Sequence, residues 1–439
     1  MPLKYRYMKK ISTLLLLVLH VSFVLTIPAQ AQVVTVATQP AQAGFAADRL
    51  ARIDSSIGQW IRQGWMQGGT ALIIRNGKIV YHKGFGYSDL EAKTPMQKTD
   101  IFRIASQTKA ITSVAIMMLF EEGKLLLDDP VSKFIPAFKN QQVLNTYNET
   151  DTTYTTVPAK KEITIRQLLT HTSGLGYASI GSKEANAIYA KANLTAGLNV
   201  QGDDLLNAMN RLAKMPLMHQ PGEKWTYGLN TDLLGCLVEV ISGKTLDAFF
   251  KERIFIPLGM KDTHFLIPAE KAKRLVPLYR EMPNGQLVKA TAYLLNGKSV
   301  TPDYPLIAST YYSGGAGLSS TIEDYGIFLQ MLLNEGVYNG KRLLSRNSVR
   351  LMTTNQIGDV PYGGGNDKFG LGFAVVTDKS SGRTHANEGT FSWGGAFATS
   401  YWVDPKEKMV YLFYRQLQNT TKGEMVEKFR ALVYQAIND

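Results

Sequence analysis

The period of the apolar residues changes several times along this chain, and each change predicts a different kind of element. From Ala46 to Gln67 they recur every three or four places, with Leu50, Ile53, Ile57 and Ile61 on one side, so a helix is expected there. Thr70 to Ile74 and Lys78 to Phe85 read as two strands around Asn76-Gly77, a dipeptide that favours a tight hairpin turn. The helical spacing returns from Lys109 to Glu122, where Ile111, Val114, Ala115, Met118 and Leu119 form one stripe. Asp128-Asp129-Pro130 then reads as a stop signal. Asn140 to Lys160 is rich in Asn, Thr and Tyr without a period and predicts a surface loop. A helix restarts over Ile163 to Leu169 and ends at Thr172-Ser173-Gly174, and residues 184–215 and 229–257 are mostly helical by pattern. Residues 264–304 are mixed.

From Gly314 the texture changes. A glycine-rich approach, Gly314 to Ser320, leads into a helix from Ile322 to Leu333. Short β-rich runs follow at Leu371 to Thr377, Phe397 to Asp404 and Met409 to Tyr414, and a helix from Lys422 to Ile437 closes the chain. Strands and a helix at each end, with helices between them, predict an α/β protein of the α+β type. Its antiparallel sheet, flanked by helices, is built from both termini (46–104 and 305–439), and a mainly helical region (105–304) is inserted within it. Residues 32–45 are small and polar and read as a linker.

The N-terminus carries Lys4, Arg6, Lys9 and Lys10, an apolar run from Ile11 to Ile27, and then Ala29-Gln30-Ala31. That order predicts a secretory signal peptide over residues 1–31, with a mature start at Gln32. The rival is an uncleaved anchor, against which Pro28 and the Ala-x-Ala site argue. No cysteine near the site invites a lipid, and no later apolar run is long enough to span a bilayer. The expected location is periplasmic or extracellular, with no stable membrane anchor after cleavage. Removing 1–31 takes away four positive charges and no acid, so the formal net charge falls from +12 to +8. The remaining Lys and Arg are scattered among acids, without the basic cluster and interleaved aromatics that nucleic acid demands. Cys236, the one cysteine, sits in the apolar stretch Leu233 to Val238 and predicts an inert buried thiol. Stability must then come from a packed core rather than from disulfides, and 45% hydrophobic residues can build one.

Chemistry concentrates at Ser106-Gln107-Thr108-Lys109. Positions i and i+3 of a helix share a face, so the lysine amine can reach the serine oxygen. An amine starved of water can take the proton of that hydroxyl. The serine also stands at the positive end of the helix dipole, where an oxyanion is favoured.

Three further segments follow in order: Ile163 to Leu175 with Thr170-His171-Thr172-Ser173-Gly174, Pro221-Gly222-Glu223-Lys224-Trp225-Thr226-Tyr227, and Trp393-Gly394-Gly395 ahead of Tyr401-Trp402-Val403-Asp404-Pro405. Together with the serine motif they resemble the serine hydrolases related to class C β-lactamases, penicillin-binding DD-peptidases and the esterases of that fold, over about residues 46–437. The resemblance implies an acyl-enzyme on Ser106, with Lys109 as its proton partner and Tyr227 relaying protons to and from the serine. It implies an oxyanion hole made by the N–H groups of Ser106 and Ala396, on an edge strand that lines the cleft. It also implies substrate contacts from Trp393, Gly394, Gly395 and Asn230. Two departures stand out. The second motif, usually Tyr-Ser-Asn, is here Tyr227-Gly228-Leu229-Asn230, with the amide one place later. Trp393 stands where β-lactamases and many DD-peptidases carry a lysine that helps to hold a substrate carboxylate. An aromatic wall suits apolar or neutral acyl and alcohol groups, which favours a carboxylesterase over a β-lactamase or DD-peptidase acting on cell-wall amides. An acyltransferase and an inactive cell-wall-binding relative are further alternatives. The expected partner is a small-molecule ester or amide.

Each of these residues has a plainer use. A serine at a helix start can simply cap it, a lysine is usually solvated, and Tyr227 or Trp393 can be packing. His171 ends a helix, where a structural hydrogen bond is expected rather than general-base chemistry. There is no Gly-x-Ser-x-Gly elbow. His82, His171, His219, His264 and His385 lack metal-ligand spacing, and Gly363-Gly364-Gly365 lacks the Lys-Ser/Thr of a phosphate loop. No metal or organic cofactor is implied, and the sequence leaves the oligomeric state open.

Overall fold

The computed structural model describes residues 33–194, 197–198, 200–295, 298–363, 365–382 and 384–439; the expected signal peptide and its cleavage site lie outside them, as does Gly364. Eight strands form the path of the main sheet: β1 (Thr35–Val36), β2 (Gly68–Arg75), β3 (Lys78–Asp89), β4 (Lys368–Phe369), β5 (Ala374–Val375), β6 (Phe391–Gly395), β7 (Thr399–Asp404) and β8 (Met409–Tyr414). Their order is β1-β3-β2-β8-β7-β6-β5-β4, with the short strand Thr94–Pro95 added to β3. Every neighbouring pair is antiparallel except β1 with β3. The two ends of the chain meet at the centre, where Leu72 of β2 faces Leu412 of β8.

All eight residues of β2 are buried, because both faces of the sheet are covered. Ala71, Ile73, Tyr81, Tyr411 and Phe413 point to one face, beneath α1 (Ala47–Arg62) and α5 (Glu424–Tyr434), which contribute Leu50, Ile53, Ile57, Met425, Phe429 and Val433. Leu72, Ile74, Val410 and Leu412 point the other way. They join a larger core with α2 (Thr108–Glu121), α3 (Asn230–Ser242) and α4 (Ile322–Leu333). The expected α/β class and antiparallel sheet from both termini are therefore what the chain adopts. Twelve of the fourteen residues of α2 are buried, so it runs through the interior with more than its apolar stripe covered.

Several local expectations are corrected. Residues 33–45 are not a free linker, since Thr35 and Val36 pair with Lys78 and Ile79, and Ala43 and Phe45 are buried. The expected loop at 140–160 contains a hairpin, Gln142–Tyr147 with Tyr154–Pro158. Its Val143 is buried and bridges Leu217, so one anchored residue and a run of β-favouring Thr, Tyr and Val suffice. The mixed region resolves into short pairs, Tyr279–Glu281 with Leu287–Lys289 and Tyr293–Leu295 with Lys298–Val300. Leu371 to Thr377 keeps only Ala374 and Val375 as strand. Gly372 there takes φ +99, and a Cβ on it would come within 2.3 Å of Ser113 Oγ on α2. Among the described residues no helix is long and apolar enough to cross a membrane.

Candidate active site

Ser106 sits in the 3-10 turn Ala105–Gln107, which runs directly into α2. The residue before it, Ala105, has φ +43, a left-handed conformation that costs a non-glycine residue on the order of 1 kcal/mol and is held only where the surroundings impose it. Those surroundings are visible. The Tyr325 hydroxyl donates to the Gln107 carbonyl at 2.8 Å, and the Tyr414 hydroxyl to the Gln107 side-chain oxygen at 2.5 Å. The Leu318 N–H donates to Thr108 Oγ1 at 3.1 Å, and the Thr112 hydroxyl to the Gly314 carbonyl at 2.7 Å. The serine turn is thereby pinned to α4, to β8 and to the glycine-rich 314–318 segment.

Lys109, one turn into the interior, is 2% exposed. Its Nζ lies 2.7 Å from the Gly315 carbonyl oxygen, 3.2 Å from Tyr177 Oη and 3.4 Å from Ser106 Oγ. Tyr227 approaches the serine from the other motif, with its hydroxyl 2.7 Å from Ser106 Oγ. The Lys109 ammonium also stands 4.8 Å from the centre of the Tyr227 ring, a cation–π distance. Amine, phenol and alcohol thus converge, although 121 residues separate Tyr227 from Ser106.

The segment carrying Tyr227 is held by the Thr170–Gly174 stretch. The Thr226 N–H donates to the His171 carbonyl at 2.8 Å, and the Gly222 N–H to the Thr172 carbonyl at 2.7 Å. His171 itself is 1% exposed, with its ring 4.9 Å from that of Tyr227. Burial, reinforced by the charge on Lys109, holds its imidazole far below the ordinary histidine range, so it is neutral. Ser173 Oγ donates to Asn230 Oδ1, which leaves the Asn230 amide N–H for His171 Nδ1 at 2.9 Å and puts the ring proton on Nε2. The structural hydrogen bond expected of His171 is present, with an amide as its partner rather than a helix carbonyl.

On the opposite wall, Trp393, Gly394 and Gly395 pair with Tyr401, Ser400 and Thr399 of β7. On the outer side β5 reaches only Phe391 and Ser392, so the three motif residues form an open edge beyond it. A Cβ on Gly395 would fall 2.3 Å from the Ile104 carbonyl oxygen, which shows how closely this strand end meets the chain leading to Ser106. Ala396, in the turn that follows, is exposed. Trp393 lies 5.7 Å from the Tyr227 ring and 5.3 Å from Phe369, with Trp225 and Tyr362 completing an aromatic cluster.

The model of the β-lactamase family matches residues 44–435 of this sequence. The chain belongs to the β-lactamase family. It is 36% identical over 375 residues to Protein Rv1367c of Mycobacterium tuberculosis, covering 82% of this chain and 88% of that protein. It is 31% identical over 366 residues to Esterase EstB of Burkholderia gladioli, with the same coverage of 82% and 88%. Among solved structures it resembles EstCE1, described as a hydrolase with promiscuous acyltransferase activity, at a TM-score of 0.74 and 27% identity over 88% of this chain and 99% of that one. This β-lactamase-family chain is a serine hydrolase.

One expected site residue is corrected. Asn230 is fully buried and spends its amide on His171 and Ser173, so in this β-lactamase-family chain it braces the second motif instead of contacting substrate. The extra residue between Tyr227 and Asn230 carries the amide into the first turn of α3, below the cleft. Tyr177, in contrast, belongs to none of the sequence motifs and lies beside Lys109. Its signal is faint: it comes two places after the Thr-Ser-Gly-Leu run, in a segment with no period.

Proposed function

We propose that the protein is an exported carboxylesterase that forms an acyl-enzyme on Ser106. One observation carries the reading: the 2.7 Å contact between the Tyr227 hydroxyl and Ser106 Oγ, with Lys109 behind both. Ser106 Oγ attacks the ester carbonyl as its proton passes to the Lys109–Tyr227 pair, which then protonates the leaving alcohol. Water attacks the acyl-enzyme and gives up a proton to the same pair, which passes it to Ser106 Oγ as the acyl–Oγ bond breaks and the acid leaves. The Ser106 and Ala396 N–H groups are assigned to the oxyanion, a role whose loss typically costs roughly a hundredfold in rate for one donor.

The preference for esters rests on Trp393 and its aromatic neighbours, which offer no cation to a substrate carboxylate. The likeness to EstB and EstCE1 supports the same choice. Export rests on the pattern of residues 1–31. The purified protein is expected to turn over p-nitrophenyl butyrate faster than nitrocefin; the reverse order would favour a β-lactamase. A fluorophosphonate probe is expected to label the native protein and not Ser106→Ala, and equal labelling of both would refute the nucleophile. A second product on adding an alcohol would mark acyl transfer, as the description of EstCE1 suggests.

A further inference from the structure

Asp232, in the first turn of α3, is a carboxylate with 1% exposure. Its Oδ1 accepts hydrogen bonds from the Ser313 hydroxyl at 2.7 Å and the Tyr311 hydroxyl at 3.2 Å. Its Oδ2 makes no well-formed hydrogen bond among the described residues and lies against Gly315. A Cβ on that glycine would fall 2.4 Å from Oδ2 and 3.5 Å from Lys109 Nζ, so carboxylate and ammonium flank the same backbone unit. The Gly315 carbonyl is also the shortest contact of Lys109. The three oxygens around Lys109 Nζ belong to a carbonyl, a phenol and an alcohol, none of which carries a charge to balance a buried cation. A buried charge without a counter-charge is costly.

We propose that Asp232 is a positioning residue for the reaction at Ser106. It supplies the negative charge that balances Lys109, and it fixes the 311–315 segment so that the Gly315 carbonyl holds the amine within reach of the serine. The inference rests on the acyl-enzyme reading above. The other ionisable groups facing this carboxylate are Tyr311 from the glycine-rich segment, Tyr177 from the Leu175–Ala178 stretch, with Tyr227 behind it, and Cys236 one turn along α3. Burial raises the Asp232 carboxyl above its ordinary range, opposed by Ser313, Lys109, Tyr311 and the Gly315 N–H. A neutral acid at this position is therefore the alternative to be tested, and asparagine imitates it closely.

The experiment compares Asp232→Asn with the native enzyme on p-nitrophenyl butyrate across pH. Native turnover with Ser106-dependent fluorophosphonate labelling establishes the underlying reading first; without it the Ser106 assignment fails, whatever Asp232 does. Removing a negative charge makes a proton on the Lys109–Tyr227 pair easier to lose. The acid limb of kcat/KM is therefore expected to move down by about one pH unit while kcat falls at least tenfold and KM changes less than about threefold. An unmoved limb overturns the proposal, whether kcat is native (a neutral Asp232) or reduced (a merely structural role). Should Asp232→Asn fail to fold, Tyr311→Phe removes one donor to Oδ1. It is expected to shift the limb in the same direction by a smaller amount, and a native profile for that variant overturns the proposal.

Discussion

At Ser106 the chain accepts a left-handed alanine immediately before the serine, and Gly395 is what allows the β6 end to come close to it. The two glycines of the third motif are not equivalent. A Cβ on Gly395 would meet the Ile104 carbonyl and Thr399 Oγ1, each at 2.3 Å, whereas on Gly394 the nearest atom would be the Thr399 carbonyl at 3.2 Å. Gly395→Ala must therefore push β6 away from the serine turn and move the Ala396 N–H with it. We expect it to lower kcat on p-nitrophenyl butyrate by roughly a hundredfold, as loss of an oxyanion donor does, with Gly394→Ala losing less than about tenfold. Equal activities for the two variants would contradict this. At the same scale the sequence pointed to Ser106, Lys109 and Tyr227 as partners, and the fold brings their side chains together. The sequence was misleading for Asn230 and silent for Tyr177 and Asp232. A tyrosine or an aspartate in an ordinary segment shows its use only when the fold brings an ammonium beside it.

Elements with a recognisable period formed where the sequence places them: α1, α2, α4 and the β2–β3 hairpin around Asn76-Gly77. Elements made by their neighbours did not announce themselves in the apolar pattern. The 142–158 hairpin rests on one buried valine, and β6, with two glycines in five residues, is a strand because β7 pairs with all of it. Helix α4 shows what an element can hide in its first turn. Thr321 caps it by accepting from the Asp324 N–H, and the Asp324 carboxylate accepts in turn from the Asp262 N–H at 2.7 Å and the Thr263 hydroxyl at 3.0 Å. Burial outweighs these bonds and pushes Asp324 up to about 6. A carboxyl raised on folding is bound more tightly by a proton in the native state, so its stabilising share is complete below about pH 4 and is lost as pH rises through 6. The cost at neutral pH is on the order of 3 kcal/mol. Asp324→Asn keeps an acceptor oxygen and cannot ionise. Its stability relative to the native protein, from urea midpoints, is expected to rise between pH 4 and pH 7; a difference that does not change with pH would remove the argument.

Over the whole molecule, the same burial that makes a two-sided sheet also keeps imidazoles neutral. Four of the five described histidines are lowered: His82, His171, His219 and His264, the last to about 4, with desolvation the largest cause in each. They are spread over β3, the stretch after the Ile165–Leu169 helix, the approach to Tyr227 and the bridge from His264 to Ser319. No single local rupture relieves them all. An imidazole lowered on folding contributes stability that is present above its unfolded value near 6.5 and is lost as pH falls toward its folded value. The unfolded chain therefore takes up to four protons that the native chain refuses as pH drops from about 7 to 5. Asp324 opposes this trend, as do Asp100, Asp232, Glu239 and Asp247, whose carboxyls burial also raises, so the histidine share is read one ring at a time. His264→Gln removes one imidazole without touching the carboxylates, and the slope of its stability against pH should be shallower than the native slope by up to one proton. A His264→Gln variant with an unchanged slope would show that this ring gains its proton without unfolding the chain.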